Sequence, residues 1–272
     1  CRAVALATSP PRPHADLHPR VPRRPVRAPP RRVRRRSLPQ ARRRTNPAAD
    51  RAPRGYDARR VTLAARPVGF PQESDFALDE VEIEAPGPGE VLVQVLWTSV
   101  DPYQRGRMSE ARSYAKSLEV GDVITSVNLG EVVESNDPRF SPDDLVVGQL
   151  GWQEYATARA GTLRQVPPVL EPPTLALHAV GLTGFTAYFG LFDVGKPRPG
   201  DTVVVSGAAG AVGQIAGQLA KLAGCRTVGI AGGPEKARDL TELYRYDKAI
   251  DYKSDDVGEA LRKERVDVYF DN

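Results

Sequence analysis

Three glycines at spacing three, Gly207, Gly210 and Gly213, stand between the β-branched run Val203-Val204-Val205 and a helical pattern that continues to Ala223. That arrangement suits a dinucleotide pyrophosphate. The turn must be tight, the backbone must reach the phosphates without a Cβ in the way, and the helix must start with N–H groups facing the anion. Glycine turns alone are common. Here a strand precedes, a helix follows, and a second strand pattern, Arg226 to Ala231, lies behind. The expectation is a nucleotide-binding βαβ unit.

The second strand ends without an acid, in Ile230-Ala231-Gly232-Gly233-Pro234-Glu235-Lys236-Ala237-Arg238. A carboxylate there would accept from the ribose 2′-hydroxyl of NAD. Two glycines followed by cations within one turn suit a 2′-phosphate instead, so the cofactor expected is NADP(H). Lys236 is the candidate phosphate partner. Arg238 is equally well read as a solvated helix residue.

The elements around this turn alternate. The sequence predicts strands at 201–206, 226–231, 248–252 and 267–272, with helices at 211–223, 234–243 and 255–263. That pattern reads as a parallel, doubly wound sheet. A helix is expected over 175–192, before it. A full dinucleotide sheet has about six strands, so this one stops at its fourth with an unprotected edge, as a fragment would. Further upstream, strands are expected at 60–64, 76–83, 90–98, 130–134, 145–149 and 153–156, with little helix. They suggest a small β-barrel-like domain ending near Pro168.

Charge divides the chain again. Residues 1–60 carry 18 Arg and three acids, whereas the remainder carries 20 basic and 31 acidic side chains. The first segment is rich in Pro and Arg and lacks apolar periodicity, so it is expected to be disordered. Its arginines could serve as a nucleic-acid arm, but no aromatics are interleaved for base stacking. Its low acid content suits a transit peptide, but only Ser9 and Ser37 are serines. The favoured reading is that this segment, opening on Cys1, is not a selected part of the protein, and nucleic-acid binding is not expected. Only Cys1 and Cys225 occur, and His178 is the single histidine after the tail. No disulfide framework or Cys/His zinc site follows from that inventory, and no apolar run is long enough for a membrane span. The compartment expected is the cytoplasm.

With these residues in hand, the chain resembles the zinc-independent alkenal/one oxidoreductases, the prostaglandin (leukotriene) and curcumin reductase branch of the medium-chain dehydrogenase/reductase superfamily. The matching strings are Thr98 to Met108, Gly181 to Leu191, Gly207 to Lys221 and Val268 to Asn272. The resemblance implies an N-terminal GroES-like β-barrel domain (57–172) and a truncated Rossmann domain (173–272), preceded by the 1–56 tail. The implied chemistry is hydride transfer from NADPH to the β-carbon of an α,β-unsaturated ketone or aldehyde. A quinone reductase of the same superfamily is the alternative, and a cofactor-binding protein with a basic tail is the reading from another class. Residue by residue, the resemblance implies that Gly210, Ala211, Val212 and Gly213 cradle the pyrophosphate. Lys236 and Tyr252 would flank the 2′-phosphate, and Asn272 would reach the cofactor. Tyr103 and Tyr114 would line the substrate pocket and donate to a carbonyl or ribose oxygen. Asp101 and Arg105 are read as fixing their loop, and His178 as packing. The resemblance implies a homodimer for the full-length family member. It also leaves open that a chain ending at Asn272 is catalytically dead.

Overall fold

In the computed structural model, residues 55–110 and 116–272 are described in full and residues 4–7 by their backbone alone. The strands run in order as β1 (Val4–Ala7), β2 (Tyr56–Leu63), β3 (Phe76–Ile83) and β4 (Glu90–Thr98). Helix α1 (Pro102–Arg107) is followed by β5 (Val127–Ser135), β6 (Leu145–Gln149), β7 (Tyr155–Arg159) and β8 (Arg164–Gln165). Then come α2 (Leu182–Phe189), β9 (Thr202–Val205), α3 (Ala211–Leu222), β10 (Arg226–Ala231), α4 (Pro234–Glu242), β11 (Lys248–Asp251), α5 (Val257–Arg262) and β12 (Val268–Asp271).

Strands β12, β9, β10 and β11 lie side by side and parallel. In chain order the row reads fourth, first, second, third, one half of a doubly wound sheet. The reason is visible in β9. Val203 and Val205 point to a core shared with Ala187, Leu191, Val212, Ala216 and Phe270, while Val204 points to the opposite face with Val228, Ile230 and Ile250. A strand buried on both faces reads as an unbroken apolar run. Each such valine contributes about 1.5–3 kcal/mol of transfer free energy.

The expected bare edge at β12 is not bare. β1 pairs antiparallel with it, Val4 opposite Asp271 and Ala7 opposite Val268. Those four are the only residues before 55 whose backbone is described. An unpaired edge offers a row of N–H and C=O groups, and any extended segment within reach can pair with it. Residues 8–54, which hold the rest of the basic tail, lie outside the described residues.

The other half is antiparallel, a five-stranded sheet ordered β7-β4-β5-β6-β8 with the β2–β3 hairpin beside it. The free edge of β2 is stitched to two further segments. Val61 N donates to Trp152 O at 2.8 Å, Glu154 N to Arg59 O at 2.9 Å, and Ile124 N to Val61 O at 3.0 Å. The barrel interior holds Val91, Val93, Val132, Phe140, Val146 and Leu150. A smaller cluster of Leu63, Met108, Leu118 and Ile124 sits under the hairpin with Val61, Phe76 and Trp152 against it.

Three local differences from the sequence reading are informative. Helix α1 was not expected, and it exists because Asp101 and Gln104 close its first turn. The helix expected over 175–192 is broken into a 3₁₀ segment, Pro173–Leu177, the helix α2 and a π-turn, Gly190–Gly195. A Cβ at Gly181 would meet the carbonyl of Ala176 at 2.5 Å, so the chain folds back on itself there. Small apolar residues carry helical propensity, but close backbone packing overrides it. The third is the short β8, which pairs with β6 through Val146–Gln165 and Val147–Arg164. Among the described residues no helix is long and apolar enough to cross a membrane.

Candidate cofactor site

The glycine turn occupies the space between β9 and α3, and its neighbours hold it in place. Ser206 N donates to Phe270 O at 3.0 Å, and Ala208 N donates to Ile230 O at 3.0 Å, so the turn is tied to the strands on both sides of β9. Gly207 has φ +52°, a left-handed backbone that an L side chain rarely adopts. Gly213 faces a different demand. A Cβ there would lie 2.5 Å from Gly207 O and 2.7 Å from Ala208 Cα, which are backbone atoms that cannot step aside. The helix start therefore packs directly on the turn.

Helix α3 begins at Ala211 after Gly210, and no side chain caps it. Its first-turn N–H groups face outward at the positive end of a twelve-residue macrodipole. Ala211, Val212 and Gly213 are that first turn. At the head of α5, by contrast, Asp256 Oδ1 accepts from Glu259 N at 2.9 Å, whereas α2 and α4, like α3, follow a glycine and carry no side-chain cap.

Asn272 comes to the same place from the end of β12. Its backbone N donates to Ser206 Oγ at 3.0 Å, and Ser206 Oγ donates to Asp271 Oδ1 at 2.6 Å. Its carbonyl and its Nδ2 are within 3.2 and 3.5 Å of where a Gly207 Cβ would stand, and Nδ2 is 3.8 Å from the corresponding point at Gly210. The structure therefore brings together Gly207, Gly210, Ala211, Val212, Gly213 and Asn272.

A second cluster forms at the ends of β10 and β11. The ring of Tyr252 packs over Gly232, where a Cβ would meet it at 2.5 Å. Lys236 is exposed in the first turn of α4. No carboxylate pairs with it among the described residues, whereas Arg238 lies 3.9 Å from Asp239 and 4.0 Å from Glu242. Of the two cations, Lys236 is the one with its charge uncommitted.

Sequence reasoning missed Asp251, which organises this loop. Its Oδ1 accepts from Gly233 N at 2.7 Å and Lys253 N at 3.0 Å. Those two backbone donors hold its carboxyl below the usual carboxylate range. Tyr246 was missed too. Its hydroxyl donates to Gly213 O at 2.7 Å, and burial pushes the phenol well up. Neither residue has a sequence signal, because a strand-end Asp and a loop Tyr look ordinary without their partners.

The substrate-side candidates are less gathered. Tyr103 sits half-buried in the first turn of α1, next to Gln104. Gln104 is buried and donates to Ser99 O at 3.1 Å and Thr125 O at 2.8 Å, which pins the Thr98–Asp101 loop. Arg105 reaches away to the carbonyls of Pro67 and Gly69 at 3.0 and 2.9 Å. Asp101 and Arg105 thus both fix structure, as expected, although through separate partners. The His178 carbonyl accepts from Thr183 Oγ1 and from Gly181 and Gly184 N, each at 3.0 Å, so this residue organises the break before α2. Tyr114 lies outside the described residues.

Comparison with known proteins agrees with this geometry. Residues 59–166 match a family described as the N-terminal domain of oxidoreductase, and residues 211–272 one described as zinc-binding dehydrogenase. Among the described residues no group of three or more His, Cys, Asp or Glu side chains could hold a metal ion, so the zinc of that description finds no donor set there. The chain is 42% identical over 217 residues to the NADPH-dependent curcumin reductase of Escherichia coli, covering 79% of this chain and 63% of that protein. It is 42% identical over 223 residues to prostaglandin reductase 1 of Bos taurus, covering 79% of this chain and 65% of that protein. The solved structure of CurA from Vibrio vulnificus in complex with NADPH superposes with a TM-score of 0.71 at 42% identity, covering 75% of this chain and 61% of that one. The chain thus spans somewhat under two thirds of the length of these relatives. With the glycine turn, the β11-β10-β9-β12 order and these matches, the chain belongs to the medium-chain dehydrogenase/reductase superfamily, in the zinc-independent branch of the alkenal/one oxidoreductases.

Proposed function

We propose that this chain carries the NADPH site of a reductase acting on the C=C bond of α,β-unsaturated ketones and aldehydes. The observation that carries the reading is the start of α3, where a tight glycine turn, an uncapped helix end and Asn272 converge. A glycine turn packed directly on an uncapped helix start, with backbone N–H groups left for an outside partner, fits a pyrophosphate. The relatives named as NADPH-dependent curcumin reductase and prostaglandin reductase 1 support the substrate class.

The roles follow from position. The N–H groups of Ala211, Val212 and Gly213 bind the pyrophosphate, with Gly207 and Gly210 clearing its approach. Lys236 pairs with the 2′-phosphate, and the Tyr252 ring bounds that pocket beside Gly232. Asn272 positions the cofactor at the turn. Bound NADPH supplies the hydride. On the substrate side, Tyr103 is the residue of this chain assigned to a carbonyl or ribose oxygen, and Tyr114 shares that assignment by sequence.

The test is a titration of the chain with NADPH and NADH, followed by cofactor fluorescence, and then oxidation of NADPH by a linear alkenal or by menadione. Lys236→Ala is expected to weaken NADPH about tenfold, a charge-assisted pair of roughly 1.5 kcal/mol, and to leave NADH unchanged. Equal losses for both cofactors would remove Lys236 from the 2′-phosphate. Turnover with menadione but not with the alkenal would replace the enone reading by a quinone one.

A further inference from the structure

Two consecutive residues after α4, Tyr246 and Asp247, hold helix α3 at its two ends. Asp247 takes the far end. Its carboxylate pairs with Lys221 in the last turn of α3, and its Oδ2 accepts from Thr227 N at 2.8 Å and Thr227 Oγ1 at 3.1 Å on β10. Tyr246 takes the near end, where its hydroxyl donates to Gly213 O at 2.7 Å, in the first turn of α3.

The sequence makes room for that reach. Tyr246 is 4% exposed, and its ring lies in a slot between α3 and β10. A Cβ at Gly217 would collide with its Cζ and hydroxyl, and one at Gly229 would stand 3.0 Å from its Cδ1. The chain turns into the slot at Arg245, whose φ of +63° is a left-handed backbone uncommon outside glycine. Tyr246 N is then fixed by donating to Leu240 O at 2.9 Å. A phenylalanine ring would fill the slot equally well, so packing explains the ring and not the hydroxyl. Burial raises the pKa of the phenol, which therefore keeps its proton and can donate.

Gly213 is thus held from two directions. Its Cα abuts Gly207 O and Ala208, and its carbonyl is tied to Tyr246. The N–H groups of Ala211, Val212 and Gly213 belong to the same turn, so these contacts set their directions. We infer that Tyr246 is a positioning residue for the cofactor, fixing the first turn of α3 through Gly213 so that its free N–H groups meet the pyrophosphate. The assignment rests on the NADPH reading of this turn. Being buried, Tyr246 acts through Gly213 and not by touching the ligand. Donors held in place beforehand lose less freedom when the ligand arrives, and affinity gains by that amount.

The test uses the full 272-residue chain and Tyr246→Phe, which keeps the ring and removes one hydrogen bond. Affinities for NADPH and NADH are read by cofactor fluorescence, and that for adenosine 2′-phosphate by displacement of NADPH, at a temperature where both proteins are fully folded. NADPH and NADH are expected to weaken by the same factor, about fivefold, as for the loss of one neutral hydrogen bond. Adenosine 2′-phosphate, which has no pyrophosphate, should bind as before. Hydrogen exchange of the amides in 211–217 should rise in the variant before any cofactor is added. A purely structural role would lower the melting temperature and leave this pattern of affinities unmoved. A folded variant that binds both cofactors like the parent overturns the inference, as does unchanged exchange over 211–217. So does a loss confined to NADPH, or one that extends equally to adenosine 2′-phosphate. A parent chain that binds neither cofactor sinks the NADPH reading and this inference with it, whereas a binding parent and an indifferent variant sink the inference alone.

Discussion

Two helix starts in this molecule are built in opposite ways. At α1 the chain closes the end with side chains: Asp101 precedes Pro102, its carboxylate faces the Gln104 N–H, and Asp101 N donates to Gln104 Oε1 at 3.0 Å. At α3 the residue in the same position is Gly210, which has no side chain to offer. The first is satisfied from within and fixes a loop. The second leaves its donors for something from outside, and the glycines around it let that partner come close. A helix end that keeps its donors open forgoes about 1 kcal/mol of capping, so the open end at α3 is consistent with a ligand that completes it.

The strongest way to break this contrast is to push the open helix start away from its turn. Gly213→Ala places a Cβ 2.5 Å from Gly207 O, and neither backbone segment can yield without moving β9 or α3. We expect a destabilisation of about 1–3 kcal/mol, typical of overpacking, and loss of measurable NADPH binding in the same fluorescence titration. A variant that melts like the parent and still binds NADPH would show that the turn is not the phosphate cradle.

The complementary experiment opens the closed end. Asp101→Ala removes the carboxylate of the capping box and the acceptor of Ser99 Oγ at 2.7 Å. A stability loss of about 1 kcal/mol is expected, as for other N-cap truncations, measured by urea unfolding. NADPH affinity should fall by no more than the stability does, because the phosphate contacts assigned above come from α3 and α4, and α1 offers at most the Tyr103 hydroxyl. A fall in cofactor affinity larger than the fall in stability would mean that the two helix starts are coupled.

The same contrast explains how far the sequence could be read. The α3 turn was legible because its requirement is written in residue type, glycine at spacing three, and the parallel strands because they are continuous apolar runs such as Val203 to Val205. Strands β3, β4, β6 and β10 emerge with the bounds expected of them. The closed end was not recognised as a helix, since six residues with one glycine, Gly106, carry little periodicity. The break before α2 was hidden because close packing at Gly181 leaves no mark in hydrophobic pattern. The pairing of β1 on β12 could not be seen, as it depends on which segment reaches a sheet edge.

The smallest expected effect concerns the loop that holds the second cofactor cluster. Asp251 accepts from Gly233 and Lys253 N–H groups, which hold its folded pKa below that of a free carboxylate. A group depressed in this way contributes stability that is present above its unfolded value, about 3.9 for Asp, and lost as pH falls through the lower folded value. The acid limb of the stability curve should therefore contain a contribution from Asp251, setting in below about pH 5 and growing down to the folded pKa. Asp251→Asn keeps an acceptor for Gly233 but cannot titrate. Its melting temperature should lie slightly below the parent at neutral pH, with the two curves converging as the solution is acidified. Parallel curves for parent and variant would show that the charge on Asp251 contributes nothing, and that the Gly232–Gly233 loop is held by backbone geometry alone.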